Sequence, residues 1–482
     1  MKKIINIAII SASLFMASCS NDFIDLLPTS SVSVDILYKT DKDFVDALTA
    51  TYNTIQSQYQ NFWVFGDMRA DDSWEQIYKN NSPSYSDLFT TTSTDGLMNS
   101  TWQNYYQAIF RANTILSKIE GVSEATVPNK NRYIGEARFL RAFAYFDLIR
   151  IFGNVPAVTI PLSVGESYNT PREPVENIYA NIIIPDFIAA ESYLPASYGG
   201  NDIGRPTSGA AKSMLGRVYL AKSDFANAES KLREVTTMGY QLLPNYVDLF
   251  DYAKSEHHSE YIFDIEYESG MGEGSIFTNS FLPNFIAFTN YYGVLGTVDE
   301  HNNPSQALID LFVDNDLRKE VTIGVIGGFY DDDSAFIKLP TNTNQTYTKK
   351  YLVSIPARND SKANWKVIRY ADVLLMYAEA LNENGKTTEA IPILNQIRTR
   401  AGVSVYDANL SQDALRKAIE VERRLELSFE GVRWFDLLRK GQAYDVMKDF
   451  GMKPYMTVFP LPLSQVQLVN DAAIFPQNSG YE

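Results

Sequence analysis

The stretch "GDMRADDSWEQIYKNNSPSY" (66–85) gathers side-chain types that can grip a sugar. Trp74 and Tyr78 offer flat faces to cover the apolar side of a pyranose ring, and Arg69, Asp71 and Asp72 offer groups that bond its hydroxyls. If the segment is helical, the two rings stand one turn apart. A second aromatic pair, Tyr291 and Tyr292, lies in "NFIAFTNYYG" (284–293), a Gly- and Asn-rich context suited to a loop. The chemistry these residues suggest is stacking and hydrogen bonding, not bond breaking. The competing role for Trp74 is core packing, with its charged neighbours solvated.

Other constellations are poorer. Asp331, Asp332 and Asp333 present oxygen ligands, but without a Gly turn or a spaced carboxylate series the run reads as a solvated loop. His257 and His258 are adjacent, so neither a helix nor a strand lets both face one ion. "GGF" (327–329) lacks the Lys and the strand-helix frame of a phosphate loop. No metal and no cofactor are expected. The 58 acidic residues guarantee chance carboxylate pairs of the kind glycoside hydrolases use. Nothing selects one pair, so the chain is not expected to be an enzyme.

The only cysteine, Cys19, has no partner for a disulfide, and three histidines are a thin supply of soft ligands. Its neighbours explain it instead. Lys2 and Lys3 form a basic start, Ile4 to Phe15 is an apolar run too short to span a bilayer comfortably, and Ala17 and Ser18 stand just before the thiol. "MASC" resembles the lipobox of a bacterial lipoprotein signal, with Met16 in place of the usual Leu. Residues 1–18 are thus read as a signal peptide and Cys19 as the lipidation site, where two or three acyl chains give stable anchoring. The mature chain keeps 40 basic against 58 acidic residues, a formal charge of -18. That excludes nucleic acid as a partner and disfavours adhesion to anionic lipid, and it favours neutral or cationic ligands.

Helices must hold these residues in place. "RYIGEARFLRAFAYFDLIRIFGNVP" (132–156) is apolar on nearly every face and stops at Gly153, which predicts a buried helix whose Glu136, Arg138, Arg141, Asp147 and Arg150 pair at its packing edges. Two segments share one register. Counted from Gly209, Leu215, Gly216, Tyr219, Phe225, Ala228, Leu232 and Val235 occupy the packing positions of a tetratricopeptide helix pair. Counted from Ala371, Tyr377, Ala378, Leu381, Ala390, Leu394 and Ile397 repeat them, with Gly385 at the turn. The two units, near 209–242 and 371–404, are far apart in sequence, so other helices are expected to complete the layer. Residues 414–441 supply one or two further helices ending at Gly441, and Trp102 and Trp434 are assigned to the core. Residues 58–102 and 241–365 lack sustained helical periodicity, the character of binding loops on a rigid frame.

Taken in order, the lipobox followed by "NDFIDLLP", then "EARFLRAFAYFDLIRIFGNVP", "RYADVLLMYAEALNENG", "ERRLELSFEGVRWFDLLRKG" and "FPLPLSQVQLVNDAAIFPQNSGY" resemble the SusD/RagB family of outer-membrane nutrient-binding lipoproteins. The resemblance implies a mostly α, single compact domain over 19–482: a tetratricopeptide-like scaffold with long irregular loops and minor β content. It further implies display on the outer leaflet of the outer membrane, facing the exterior, as the lid of a SusC-like TonB-dependent transporter. Most members bind glycans and the RagB branch binds oligopeptides, so a glycan ligand is expected, with a peptide as the alternative. A periplasm-facing tetratricopeptide adaptor is the remaining alternative. Asp22 and Asp25 resemble the acidic surface-export signal of such lipoproteins and favour the exterior.

Overall fold

The computed structural model describes residues 37–252, 256–325, 328–330, 336–338 and 345–482. Cys19 with the signal segment, Asp22, Asp25, Gly327 and Asp331 to Asp333 lie outside the described residues. The chain is mostly helical with small strand pairs, as expected.

Helix α1 (Asp41–Tyr59) starts at a Thr40–Asp43 capping box, which satisfies two orphan amides at once. It packs on α2 (Gly96–Glu120), and α2 packs on α3 (Lys130–Phe152). Helix α3 is the apolar segment anticipated from sequence and is buried on almost every face. Its charges are paired: Arg141 Nε and Arg138 Nη1 each donate to Asp186 at 2.7 Å, Glu136 accepts from Arg205 and the Tyr52 hydroxyl, and Asp147 pairs with Arg150 while accepting from Tyr59 and Tyr105. A buried ion left unpaired would cost several kcal/mol, on the order of 3 to 5, so this pairing is what lets α3 sit inside.

Beyond α3 the contacts run on through α4 (Ile184–Tyr193), α5 (Ser208–Ala221), α6 (Phe225–Thr236), α7 (Tyr370–Glu383) and α8 (Thr387–Arg400). Pairs α5–α6 and α7–α8 are the two tetratricopeptide-like units. The small residues sit where the helices cross: a Cβ on Gly216 would lie 2.5 Å from the Leu232 side chain, and Ala228, Ala378 and Ala390 are fully buried. The two units lie side by side, α6 directly against α7, and other helices complete the layer, as expected. Asn384 Nδ2 donates to Phe225 O at 3.0 Å and to Glu229 Oε2 at 2.8 Å, and Lys386 Nζ reaches Glu229 Oε1 at 2.6 Å. The long intervening segment is looped out, and α9 (Gln412–Leu427) closes the far side on α7 and α8. A short α10 (Arg433–Arg439) follows, so residues 414–441 form two helices, broken at 428–432.

The looped-out chain is tied back by small antiparallel pairs and buried ions. Strand β1 (Ser73–Trp74) pairs with β3 (Asn303–Pro304), β2 (Tyr261–Ile265) with β6 (Trp365–Arg369), and β4 (Ile323–Val325) with β5 (Thr346–Thr348). Arg369 on β6 reaches Glu260, Glu426 and Glu430; Arg318 reaches Asp316, Glu422 and Glu426; Arg400 joins Glu260 to Glu426. Burial alone would raise the Glu426 carboxyl, but three guanidinium groups overcome it and hold the group well below the ordinary carboxylate range. Trp365 is buried and stacks on Tyr351 at 5.5 Å; Trp102 and Trp434 are core residues, as assigned.

Candidate functional site: an aromatic cleft beside Trp74

After α1 the apolar run Phe62–Gly66 forms a short buried helix that turns the chain back toward α9 and α10. Arg69 comes next and goes inward. Its guanidinium lies 4.0 Å from the Phe459 ring and 4.5 Å from Phe89, and Nη2 donates to Met456 O at 2.9 Å. It is 1% exposed, so the expected contact to a ligand is corrected to a structural cation–π role. Asp71 and Asp72 meet the helices. Arg433 Nε donates to Asp71 Oδ1 at 2.8 Å, and Arg424 Nε to Asp72 Oδ1 at 2.9 Å. Burial opposes ionisation of both; at Asp71 the Arg433 bond and charge win and the carboxyl falls below the usual range, whereas fully enclosed Asp72 stays raised. Asp72 is therefore a buried anchor for this segment, while Asp71 still borders the cleft described next.

Ser73 and Trp74 are extended, not helical, so Trp74 and Tyr78 are not stacked one helical turn apart. The strand is held from several sides: Ser73 Oγ donates to Asn302 Oδ1 at 2.6 Å, Ser305 Oγ to Asp71 O at 2.6 Å, and the Trp74 indole N–H to Pro304 O at 3.1 Å. That last bond satisfies the ring nitrogen and fixes the indole with 40% of the residue exposed. Tyr78, 53% exposed, and Asp87 line the same cleft. Asp87 Oδ2 accepts the Glu75 amide at 2.9 Å; burial pushes its carboxyl up to about 6 against that donor. Behind them Glu75 is fully buried, bonded to His301 Nδ1 at 2.7 Å.

Trp74, Tyr78 and Phe450 line one cleft of about 920 Å³. Phe450, 57% exposed, projects from the turn after the short helix Ala443–Met447. Gln76, Gln306 and Gln345 supply amides, and Ser305 and Thr346 hydroxyls. The arrangement provides aromatic faces for apolar surface and a ring of neutral donors and acceptors for hydroxyls. Sequence reasoning missed Phe450, Asp87 and the glutamines. Phe450 left one trace, an aromatic stranded among polar residues in "MKDFGMK" just before Gly451.

Tyr291 and Tyr292 do not line that cleft. Tyr291 ends the short helix Ile286–Tyr291 and is 38% exposed; Tyr292 packs on Phe288 at 4.7 Å and bonds Tyr347. Tyr292 packs against a small cluster with Leu282, Val294, Val298 and Ile355, and Tyr291 meets the Tyr292 ring edge-on at 4.9 Å. Strand β5 joins the two places, because Thr346 borders the cleft while Tyr347 enters the cluster, stacked so closely over Gly324 that a Cβ there would lie 2.0 Å from its ring.

A helical solenoid-like frame carrying an aromatic cleft on irregular loops is the architecture of a binding protein. Residues 227–473 match the model of the SusD family, and residues 22–220 match a model described as starch-binding, associating with outer membrane. The chain belongs to the SusD family. SusD-like protein P2 of Formosa agariphila is 27% identical over 506 residues, spanning 97% of this chain and 98% of the relative. A laminarin-binding SusD-like protein of known structure is 28% identical, with a TM-score of 0.77 over 92% of this chain and all of the other. Surface glycan-binding protein A of Bacteroides thetaiotaomicron, solved with laminarihexaose, superposes with a TM-score of 0.77 over 91% of this chain and 99% of that one; at 20% identity it speaks to the fold.

Proposed function

We propose that this chain is a lipid-anchored surface protein that captures oligosaccharides in the Trp74–Tyr78–Phe450 cleft without acting on them chemically. Residues 1–18 serve as its signal peptide, Cys19 carries the lipid, and the domain from 19 to 482 delivers its glycan to a SusC-like TonB-dependent transporter in the outer membrane. The observation that carries the reading is the cleft itself: three part-exposed rings set among amides and hydroxyls. Its family membership and its likeness to a laminarin-binding protein support a glycan guest, with a β-glucan as the first probe.

Calorimetry with laminarin oligosaccharides tests the site. An aromatic platform at a hot spot is worth about 2 kcal/mol or more, so Trp74→Ala and Phe450→Ala should each weaken binding over tenfold with the melt preserved. Undiminished affinity in both would remove the cleft from the site. A matching loss in the Tyr291→Ala, Tyr292→Ala double variant alone would move it to the second aromatic cluster. Preferential capture of peptides would replace the glycan reading with the RagB-like one.

A further inference from the structure

The charges around the cleft are distributed unevenly. Asp71 is neutralised by Arg433 and Arg424, and Asp72 behind it by Arg424. Asp87 is different: its donor is the Glu75 amide, and among the described residues no cation pairs with it. The carboxylate of Glu75, committed to His301, adds negative potential from behind. The described cleft lining also contains no Lys, Arg or His. A guest carboxylate or sulfate would therefore leave water for a pocket whose described lining offers no cation to receive it, and would face an uncompensated negative group across low-dielectric walls.

We propose that Asp87 sets the charge selectivity of the cleft: its carboxylate admits uncharged sugars and turns away uronic-acid and sulfated glycans. The inference rests on the cleft being the glycan site. Asp87 is on this account a specificity-determining residue, acting through its charge.

The test compares laminarin oligosaccharides with oligoguluronate or another short polyuronate, at pH 7.5 and low ionic strength, in the full mature chain. Asp87→Asn removes the charge and keeps an acceptor, so uronate affinity should rise at least fivefold relative to laminarin, with laminarin affinity itself little changed. The gain should shrink only modestly at 0.5 M salt, because a charge behind low-dielectric walls is screened much less than an exposed one. Asp87→Glu restores the charge and should restore the low ratio, which a purely structural role for Asp87 would not produce. An unchanged ratio in Asp87→Asn, or a wild-type preference for the uronate, overturns the proposal. Trp74→Ala and Phe450→Ala separate the two levels: if both leave laminarin binding intact the cleft reading itself fails, whereas loss of binding there with an unchanged Asp87→Asn ratio refutes the charge filter alone.

Discussion

At the scale of single residues, the loop after α1 sorts its side chains by what can be satisfied inside. Arg69 and Asp72 find partners in the core and are consumed by it; Trp74 has its ring nitrogen satisfied and its face left over. Asp67 is the extreme case. It accepts the Gly431 amide at 2.9 Å and the Asn302 amide at 3.5 Å, and burial pushes its carboxyl up to about 8. In the unfolded chain that group ionises near pH 4, so between about pH 4 and 8 the folded chain holds the extra proton. Stability should then fall as pH rises through that window, by up to about 1.4 kcal/mol per unit from this group, and level off above it. Urea unfolding from pH 5 to 8.5 should show a shallower decline for Asp67→Asn than for wild type, and equal slopes would mean the buried carboxyl ionises without penalty. The sequence disclosed the aromatic character of the site because Trp74 and Tyr78 stand in a polar stretch. It misassigned Arg69 because the guanidinium is held by Phe459 and Met456, nearly 400 residues away, which no local pattern encodes.

At the scale of elements, the helix pairs were legible in advance because close crossing demands small residues at fixed spacing, and Gly216, Ala228, Ala378 and Ala390 supply them. Ala228→Trp should force α5 and α6 apart at a cost of about 1 to 3 kcal/mol or more, read as a lowered melting temperature. A melt matching wild type would mean the crossing tolerates a ring, against the buried position of that Cβ. Which pair sits beside which was not legible. The seam between α6 and α7 is made by Asn384, Lys386 and Glu229, ordinary surface residues by type, whose pairing exists only after the long middle segment has looped away. The cleft wall was hidden for the same reason: β1 and β3 are two residues each, too short to leave a periodic signature.

At the scale of the whole molecule, anchoring and folding should be independent, since the mature domain has no other cysteine and its core is complete without a thiol. Cys19→Ala should move the protein from membrane to soluble fractions with its melting temperature unchanged; retention on washed membranes would reject the lipid anchor. Protease added to intact cells should cleave the wild-type protein if it faces the exterior, and protection would favour the periplasmic adaptor. Chain order also frames the seam between the two helix pairs. Phe225 and Asn384 are bonded across 159 residues of chain, a long loop to close. Until the second pair has been made, the face of α6 that meets α7 is left uncovered and its Glu229 without the partners it has in the folded chain. High contact order of this kind slows folding and exposes intermediates to aggregation. The architecture thus ties maturation to the last quarter of the chain: a molecule interrupted anywhere before Tyr370 cannot bury the flank of α6, and becomes a client for chaperones and proteases, not a smaller working receptor.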